Sequence, residues 1–244
     1  MSDKKSNPSF FLDRGEYLVE QFIKLQDSSD VKKMEKLKEE LEEYISQFSD
    51  KKFENILHLI KAFINYNKTD DIPSSYELIL PLLTNLEFGK NEEYFNRYPN
   101  IILLSRSISM CKDYKQAFEI LELIEQAAEK YYSNESRQIK IVATAYSSFT
   151  ENLLNFKKNN PLGEAEQAEI KDKFDEYSRK VMDICYKNKW NSFYATNLFR
   201  KGLFYDDKDL QFASIMLLEE INKPELQKSM NKLSDYDLAL PWMY

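Results

Sequence analysis

Few side chains in this 244-residue sequence have the type and spacing that catalysis or metal binding requires. A histidine can act as a general base and a cysteine as a nucleophile, but His58 is the only histidine and Cys111 and Cys185 are far apart. Metal sites gather several His, Cys or carboxylate ligands, so we expect no metal site and no cofactor. The acids at 39–40 and 42–43 fit a solvated helix face, and no Gly-rich phosphate loop or nucleophile elbow occurs. We therefore expect no enzymatic activity.

The composition favours an all-α protein. Hydrophobic residues make up 43% and charged residues 31%, as in globular proteins, and four glycines leave few positions for the positive-φ turns of a β-rich chain. The net charge of −7, with bases interleaved among acids, argues against binding to nucleic acid. The polar segment 1–11 lacks the apolar run of a signal peptide, and no segment approaches the ~20 apolar residues of a membrane span. We expect a soluble cytoplasmic protein whose two thiols are reduced and buried.

Apolar residues recur every three or four positions along most of the chain, which predicts about ten to eleven helices. Ser74 and Glu77 are interpreted as a capping box that starts the fourth helix, and Pro81 is expected to kink or split it. No flexible linker divides the chain, so residues 1–244 are predicted to form a single domain with a possible sub-boundary near residues 68–74. The predicted helices span residues 9–27, 30–48, 53–67, 74–88, 100–111, 114–132, 134–158, 164–187, 190–205, 208–221 and 224–234.

The later helices carry the spacing of tetratricopeptide (TPR) repeats, in which small residues let paired helices approach closely. Ser105, Ala143 and Gly202 occupy the predicted small positions of three first helices. A glycine inside a helix costs ~1 kcal/mol relative to alanine, so Gly202 indicates a close helix–helix contact. The partner positions Ser178 and Ala213 are separated by close to the repeat period of about 34 residues. A plain irregular helical bundle is the alternative.

Repeat geometry predicts a ligand groove, because residues three before and one after each small position face one inner wall. The cations Arg106, Arg137 and Lys140 are predicted to hold a peptide carboxylate or an acidic side chain by charge-assisted hydrogen bonds. Phe199 and Leu203 are predicted to form an apolar pocket. The alternative is that these residues are ordinary solvated helix positions. The predicted groove consists of Ile102, Arg106, Arg137, Lys140, Thr144, Ser147, Phe199 and Leu203.

The run from Asn191 to Asp235 contains the stretches Phe-Tyr at 193–194, Phe-Arg-Lys-Gly at 199–202 and Pro-Glu-Leu at 224–226. It resembles the C-terminal repeats of Rgg/GadR/MutR-type regulators, which belong to the RRNPP group of peptide-sensing proteins. Residues 11–48 and 53–67 resemble the start of that sensor domain. The resemblance implies a right-handed TPR-like stack, a homodimer, and a concave surface that binds a short peptide pheromone, with residues 159–171 as an insertion. The family carries an N-terminal helix-turn-helix and none precedes Phe10, so we expect no direct DNA binding by this chain.

Three functions stay open at this point. The first is a non-enzymatic peptide- or protein-binding regulatory module that resembles the Rgg sensor and acts in quorum sensing and transcription regulation. The second is a helical-repeat adaptor or inhibitor that binds proteins and takes no small peptide. The third, an accessory enzyme like the phosphatase branch of peptide-sensing repeat proteins, has the least support because catalytic side chains are sparse.

Overall fold

A computed structural model describes residues 8–26, 30–48, 51–69 and 71–221, and these residues contain helices and no strand. The all-α prediction is confirmed. A short 3-10 turn, Ile108–Met110, follows the sixth helix. The eleven α-helices of the described ranges are α1 (Pro8–Gln26), α2 (Val31–Phe48), α3 (Lys51–Thr69), α4 (Ile72–Leu83), α5 (Glu92–Phe95), α6 (Tyr98–Ser107), α7 (Tyr114–Tyr131), α8 (Glu135–Asn159), α9 (Glu164–Lys187), α10 (Asn191–Tyr205) and α11 (Lys208–Ile221).

Most predicted helix bounds agree closely with the structure, and those of α9 and α11 are the same. The short helix α5 is not predicted by the apolar pattern, because four residues are too few to show a helical period. The helix predicted at 224–234 lies outside the described residues.

The fourth helix differs from its prediction at both ends, since it begins at Ile72 and ends at Leu83. Its N-cap is Asp71, whose carboxylate accepts a hydrogen bond from the backbone N–H of Ser74 at 3.1 Å. The capping box predicted at Ser74 is therefore wrong. The hydroxyl of Ser74 instead accepts from the side-chain amide of Asn65 at 2.6 Å, which ties the end of α3 to the start of α4.

The chain divides into two compact units, residues up to Ala145 and residues from Tyr146, and the division falls inside α8. In the first unit neighbouring helices pack in pairs, α1 on α2, α2 on α3 and α3 on α4, while α6 contacts α1 and α3. This pairing of consecutive helices is the packing that a helical repeat stack predicts. The possible sub-boundary near residues 68–74 lies at the α3–α4 junction within this unit, and the single-domain organisation stays a prediction.

In the second unit α10 packs against both α9 and α11. A Cβ atom added to Gly202 would lie 2.7 Å from Cγ and 2.8 Å from the backbone nitrogen of Gln211. The close α10–α11 contact predicted from this glycine is confirmed. The second half of α8 meets α9 through Phe149 and Tyr177, whose rings are 5.1 Å apart and nearly perpendicular. This unit therefore has its own aromatic core.

Candidate binding site

Two tyrosines and an arginine from three neighbouring segments of the first unit are in contact, and a second arginine acts electrostatically on one of the tyrosines. Tyr98 opens α6 and Arg106 lies in its last turn, while Tyr132 follows α7 and Arg137 lies near the start of α8. The guanidinium carbon of Arg137 is 5.2 Å from the centroid of the Tyr98 ring. The rings of Tyr98 and Tyr132 meet edge to face with centroids 6.2 Å apart. We call these four residues the tyrosine–arginine cluster.

Both arginines act electrostatically on the same phenol. Burial raises the pKa of Tyr98, and the guanidinium groups of Arg137 and Arg106 oppose that rise. Burial also raises the pKa of Tyr132, whose hydroxyl is buried and has no hydrogen-bond partner among the described residues. An unsatisfied buried hydroxyl costs about 1–3 kcal/mol. The cluster thus places Arg137 near both phenols and Arg106 near that of Tyr98.

The start of α8 positions Arg137 and Lys140. The side chain of Asn134 accepts a hydrogen bond from the backbone N–H of Arg137 at 3.2 Å and so caps the start of α8. Lys140 lies one turn further along the same helix face, and both cations are exposed. Thr144 is buried, and its hydroxyl donates to the carbonyl of Lys140 at 2.7 Å. The structure therefore places the two α8 cations of the predicted groove on one exposed surface.

The other groove residues predicted from α6 are partly or fully buried. Arg106 is half-buried, and Ile102 is 2% exposed within the core of the first unit. Ile102 therefore contributes to packing, and Arg106 is the α6 residue that reaches the cluster.

The remaining predicted groove residues belong to the second unit and pack inside it. Phe199 is 3% exposed and forms a core cluster with Ile215, against which the half-buried Leu203 packs. The close approach of α11 at Gly202 brings Ile215 onto these side chains. Their apolar surface is therefore used within the unit. Ser147 is also buried, with 6% of its surface exposed.

Ser147 takes part in a buried charge network around Arg200. The Nη1 atom of Arg200 donates to the carbonyl and the hydroxyl of Ser147, each at 2.9 Å, to the hydroxyl of Thr150 at 3.3 Å and to the side-chain oxygen of Asn197 at 3.0 Å. Its Nη2 atom donates to the carboxylate of Glu151 at 2.8 Å. The network joins α8 to α10.

The sequence pattern does not predict the role of Arg200 or of the two tyrosines. Arg200 follows Phe199 directly, but it is not one of the positions that the repeat spacing places on the inner wall. Tyr98 and Tyr132 lie at helix ends, outside the repeat spacing, so their contact depends on how the helices cross.

Within the described ranges, no group of three or more His, Cys, Asp or Glu residues is placed to hold a metal ion. Cys111 and Cys185 are both buried thiols, which confirms their prediction as core residues. Burial raises the pKa of the Cys111 thiol, which makes it a poor nucleophile. Of the helices described, none combines the length and the apolarity that a bilayer crossing needs.

Comparison of the chain with protein-family models, with curated proteins and with solved structures gave no match. The function must therefore be inferred from the site itself. The tyrosine–arginine cluster, with Lys140 beside Arg137 on α8, is the arrangement with a recognisable binding chemistry.

Proposed function

We propose that this chain is a non-enzymatic peptide-binding regulatory module and that the tyrosine–arginine cluster holds a carboxylate of the peptide. The observation that carries the proposal is the contact between the Arg137 guanidinium and the Tyr98 ring, 5.2 Å from carbon to centroid, beside the exposed Lys140 on the same face of α8. Arg137 and Lys140 form a positive surface in a chain whose net charge is −7, and Arg106 adds positive charge that lowers the pKa of Tyr98. Such a site selects an acidic side chain or a free C-terminus.

Guanidinium groups suit this task because their planar fork binds a carboxylate through two parallel hydrogen bonds. The Tyr98 ring holds the Arg137 group by a cation–π contact, which reduces the conformational entropy that Arg137 loses when a ligand binds. Lys140 adds positive charge along the same face of α8. A peptide lying over the start of α8 would engage both Arg137 and Lys140.

The regulatory part of the proposal rests on the resemblance to Rgg-type sensors and on the paired helices. We infer a cytoplasmic homodimer that senses a short peptide pheromone and transmits binding to transcription through another protein or domain. A ligand shifts the equilibrium between two conformations of a protein only by binding one of them more tightly than the other. The residues of the tyrosine–arginine cluster lie on or next to three helices. A change in the packing of these helices would therefore alter the carboxylate site and its affinity for the peptide.

The test is a fluorescence-anisotropy screen of the full chain against a panel of short labelled peptides. Each acidic peptide is paired with a version in which Asp and Glu are replaced by Asn and Gln and the C-terminus is amidated. We expect at least one acidic peptide to bind, its neutral version to bind at least ten-fold more weakly, and the acidic peptide to raise the melting temperature. Equal affinity for the two versions, or binding only to folded proteins as an adaptor would show, contradicts the proposal.

A further inference from the structure

The second unit contains a cavity of about 460 Å³ between the end of α8, the start of α9 and the end of α10. Small-molecule sites in proteins have volumes of about 300–1,000 Å³, so the cavity is large enough for a metabolite-sized ligand. None of its residues belongs to the tyrosine–arginine cluster. Its lining consists of Lys157, Leu162, Glu164, Gln167, Ala168, Ile170, Lys171, Phe204 and Tyr205.

One wall of the cavity is apolar and held in place. Leu162, Ala168, Ile170 and Phe204 contribute the apolar side chains. The Phe204 ring stacks on that of Phe174 with centroids 3.7 Å apart and planes at 9°. Because Phe204 is fixed from behind, this wall is formed before any ligand enters. An alkyl or aryl group placed against it would lose part of its contact with water.

Lys157 places a positive charge beside that wall. Its ammonium nitrogen donates to the carbonyl of Phe204 at 2.7 Å and lies 4.2 Å from the centroid of the Phe204 ring. These two contacts orient the side chain of Lys157, which is exposed, over the Phe204 ring. An ammonium group has three N–H donors, and the Phe204 carbonyl accepts from one of them.

The other charges of the lining do not neutralise Lys157. Lys171 pairs with the carboxylate of Asp175 at 3.3 Å, and Asp175 also accepts a hydrogen bond from the Tyr205 hydroxyl. Glu164 is exposed to solvent. Among the described residues no carboxylate lies within ion-pair distance of the Lys157 ammonium. The cavity therefore combines an apolar wall with one uncompensated cation.

We propose that this cavity binds a small amphipathic monocarboxylate, with its carboxylate accepting hydrogen bonds from Lys157 and its hydrocarbon part covering the apolar wall. A single ammonium group matches a single negative charge, and the wall beside it offers nothing to a strongly hydrated ligand. The site is separate from the peptide site and does not depend on it. It gives the second unit a ligand of its own.

Isothermal titration of the full chain with decanoate tests the proposal, with decanol as the matched neutral probe. We expect decanoate to bind and decanol to bind at least ten-fold more weakly. Lys157→Met keeps the length of the side chain and removes its charge, so it should weaken decanoate binding at least ten-fold. Lys158→Met, a change at the neighbouring exposed lysine outside the lining, should leave the affinity unchanged.

Lys157→Met could affect folding, because Lys157 also donates a hydrogen bond to a carbonyl in the last turn of α10. A second variant tests the cavity without changing Lys157. Ala168 is exposed near the start of α9 and lines the cavity, so Ala168→Trp should fill the space without disturbing the core. We expect this variant to lose the binding of both probes. Equal binding of decanoate and decanol, no binding of decanoate by the wild type, or unchanged binding in Ala168→Trp overturns the proposal.

Discussion

Arg200 brings a positive charge into the core of the second unit, where only 8% of its surface is exposed. Moving an ion out of water costs several kcal/mol unless a carboxylate and further hydrogen bonds compensate for it. Glu151 supplies the carboxylate at 2.8 Å, and oxygen atoms of Ser147, Thr150 and Asn197 supply the hydrogen bonds. Since every partner has to be in place, the network fixes the register of α8 against α10.

Replacement of Arg200 by methionine should lower the free energy of unfolding by about 3–5 kcal/mol, because it leaves the carboxylate of Glu151 without its partner. Urea denaturation followed by circular dichroism measures the change. Arg179→Met is the matched control, since Arg179 is exposed on α9 and its replacement should change stability by less than about 0.5 kcal/mol.

The double variant Arg200→Met/Glu151→Leu separates a network of charges from simple packing. Removal of the orphaned carboxylate should recover part of the stability that Arg200→Met loses. A double variant as unstable as the sum of the two single variants would show that the ion pair does not couple these residues.

At the scale of the helices, Gly202 sets how closely α10 and α11 pack. An alanine at this position would gain ~1 kcal/mol of helix propensity, but its Cβ would lie 2.8 Å from the backbone nitrogen of Gln211. Backbone cannot move aside as a flexible side chain can, and overpacking costs about 1–3 kcal/mol. We therefore expect Gly202→Ala to be destabilising in thermal unfolding. Gly163→Ala, where nothing lies within 4 Å of the added Cβ, should have a smaller effect, and equal or reversed effects would contradict the close contact.

The start of α4 offers a second test at this scale, because it distinguishes the observed cap from the predicted one. Asp71→Ala removes the carboxylate that accepts from the backbone N–H of Ser74 and should cost about 1 kcal/mol. Glu77→Ala removes the acid of the capping box that the sequence predicts and should cost less than about 0.5 kcal/mol. The two unfolding midpoints decide between the caps, and a larger loss for Glu77→Ala would favour the predicted one.

The helices of this protein are predicted well from the sequence, because helix formation depends on residues that are close together in the chain. The apolar period and the caps are properties of neighbouring residues, so α9 and α11 are predicted to the residue. Local pattern does not predict α5, because four residues are too few to show a helical period. It misplaces the start of α4, because Asp71 and Ser74 are both residue types that cap helices and Asp71 is the one that does so.

The candidate site is only partly predictable, because its contacts join residues that are far apart in the sequence. Counting from the small repeat positions finds Arg106, Arg137 and Lys140, because it requires only the helical period. The contact between Arg137 and Tyr98 joins two helices and depends on how they cross, which one sequence does not specify. Phe199 is predicted to line an apolar ligand pocket, but in the structure Ile215 of α11 packs against it, and the sequence pattern does not specify that tertiary contact.

At the scale of the whole molecule, α8 contributes to both units. Its first turns carry Arg137 and Lys140 of the first unit, and its second half carries Ser147 and Glu151 of the Arg200 network. Each unit has its own candidate ligand site, a cationic surface in the first and a cavity in the second.

A peptide that binds only the native chain should stabilise it by about 2.7 kcal/mol at 100 times its dissociation constant, measured by chemical denaturation with and without peptide.

The most direct test of peptide binding through the two arginines is an isothermal titration of one acidic peptide, chosen from the anisotropy screen, into three proteins. These are the wild type, the double variant Arg106→Ala/Arg137→Ala, and Arg179→Ala, which removes an exposed arginine of the second unit. Charge-assisted hydrogen bonds contribute about 1.5–3 kcal/mol each, so the double variant should bind at least ten-fold more weakly while its melting temperature without peptide changes little. Arg179→Ala should bind as the wild type does. The same dissociation constant for all three proteins would contradict the proposed site.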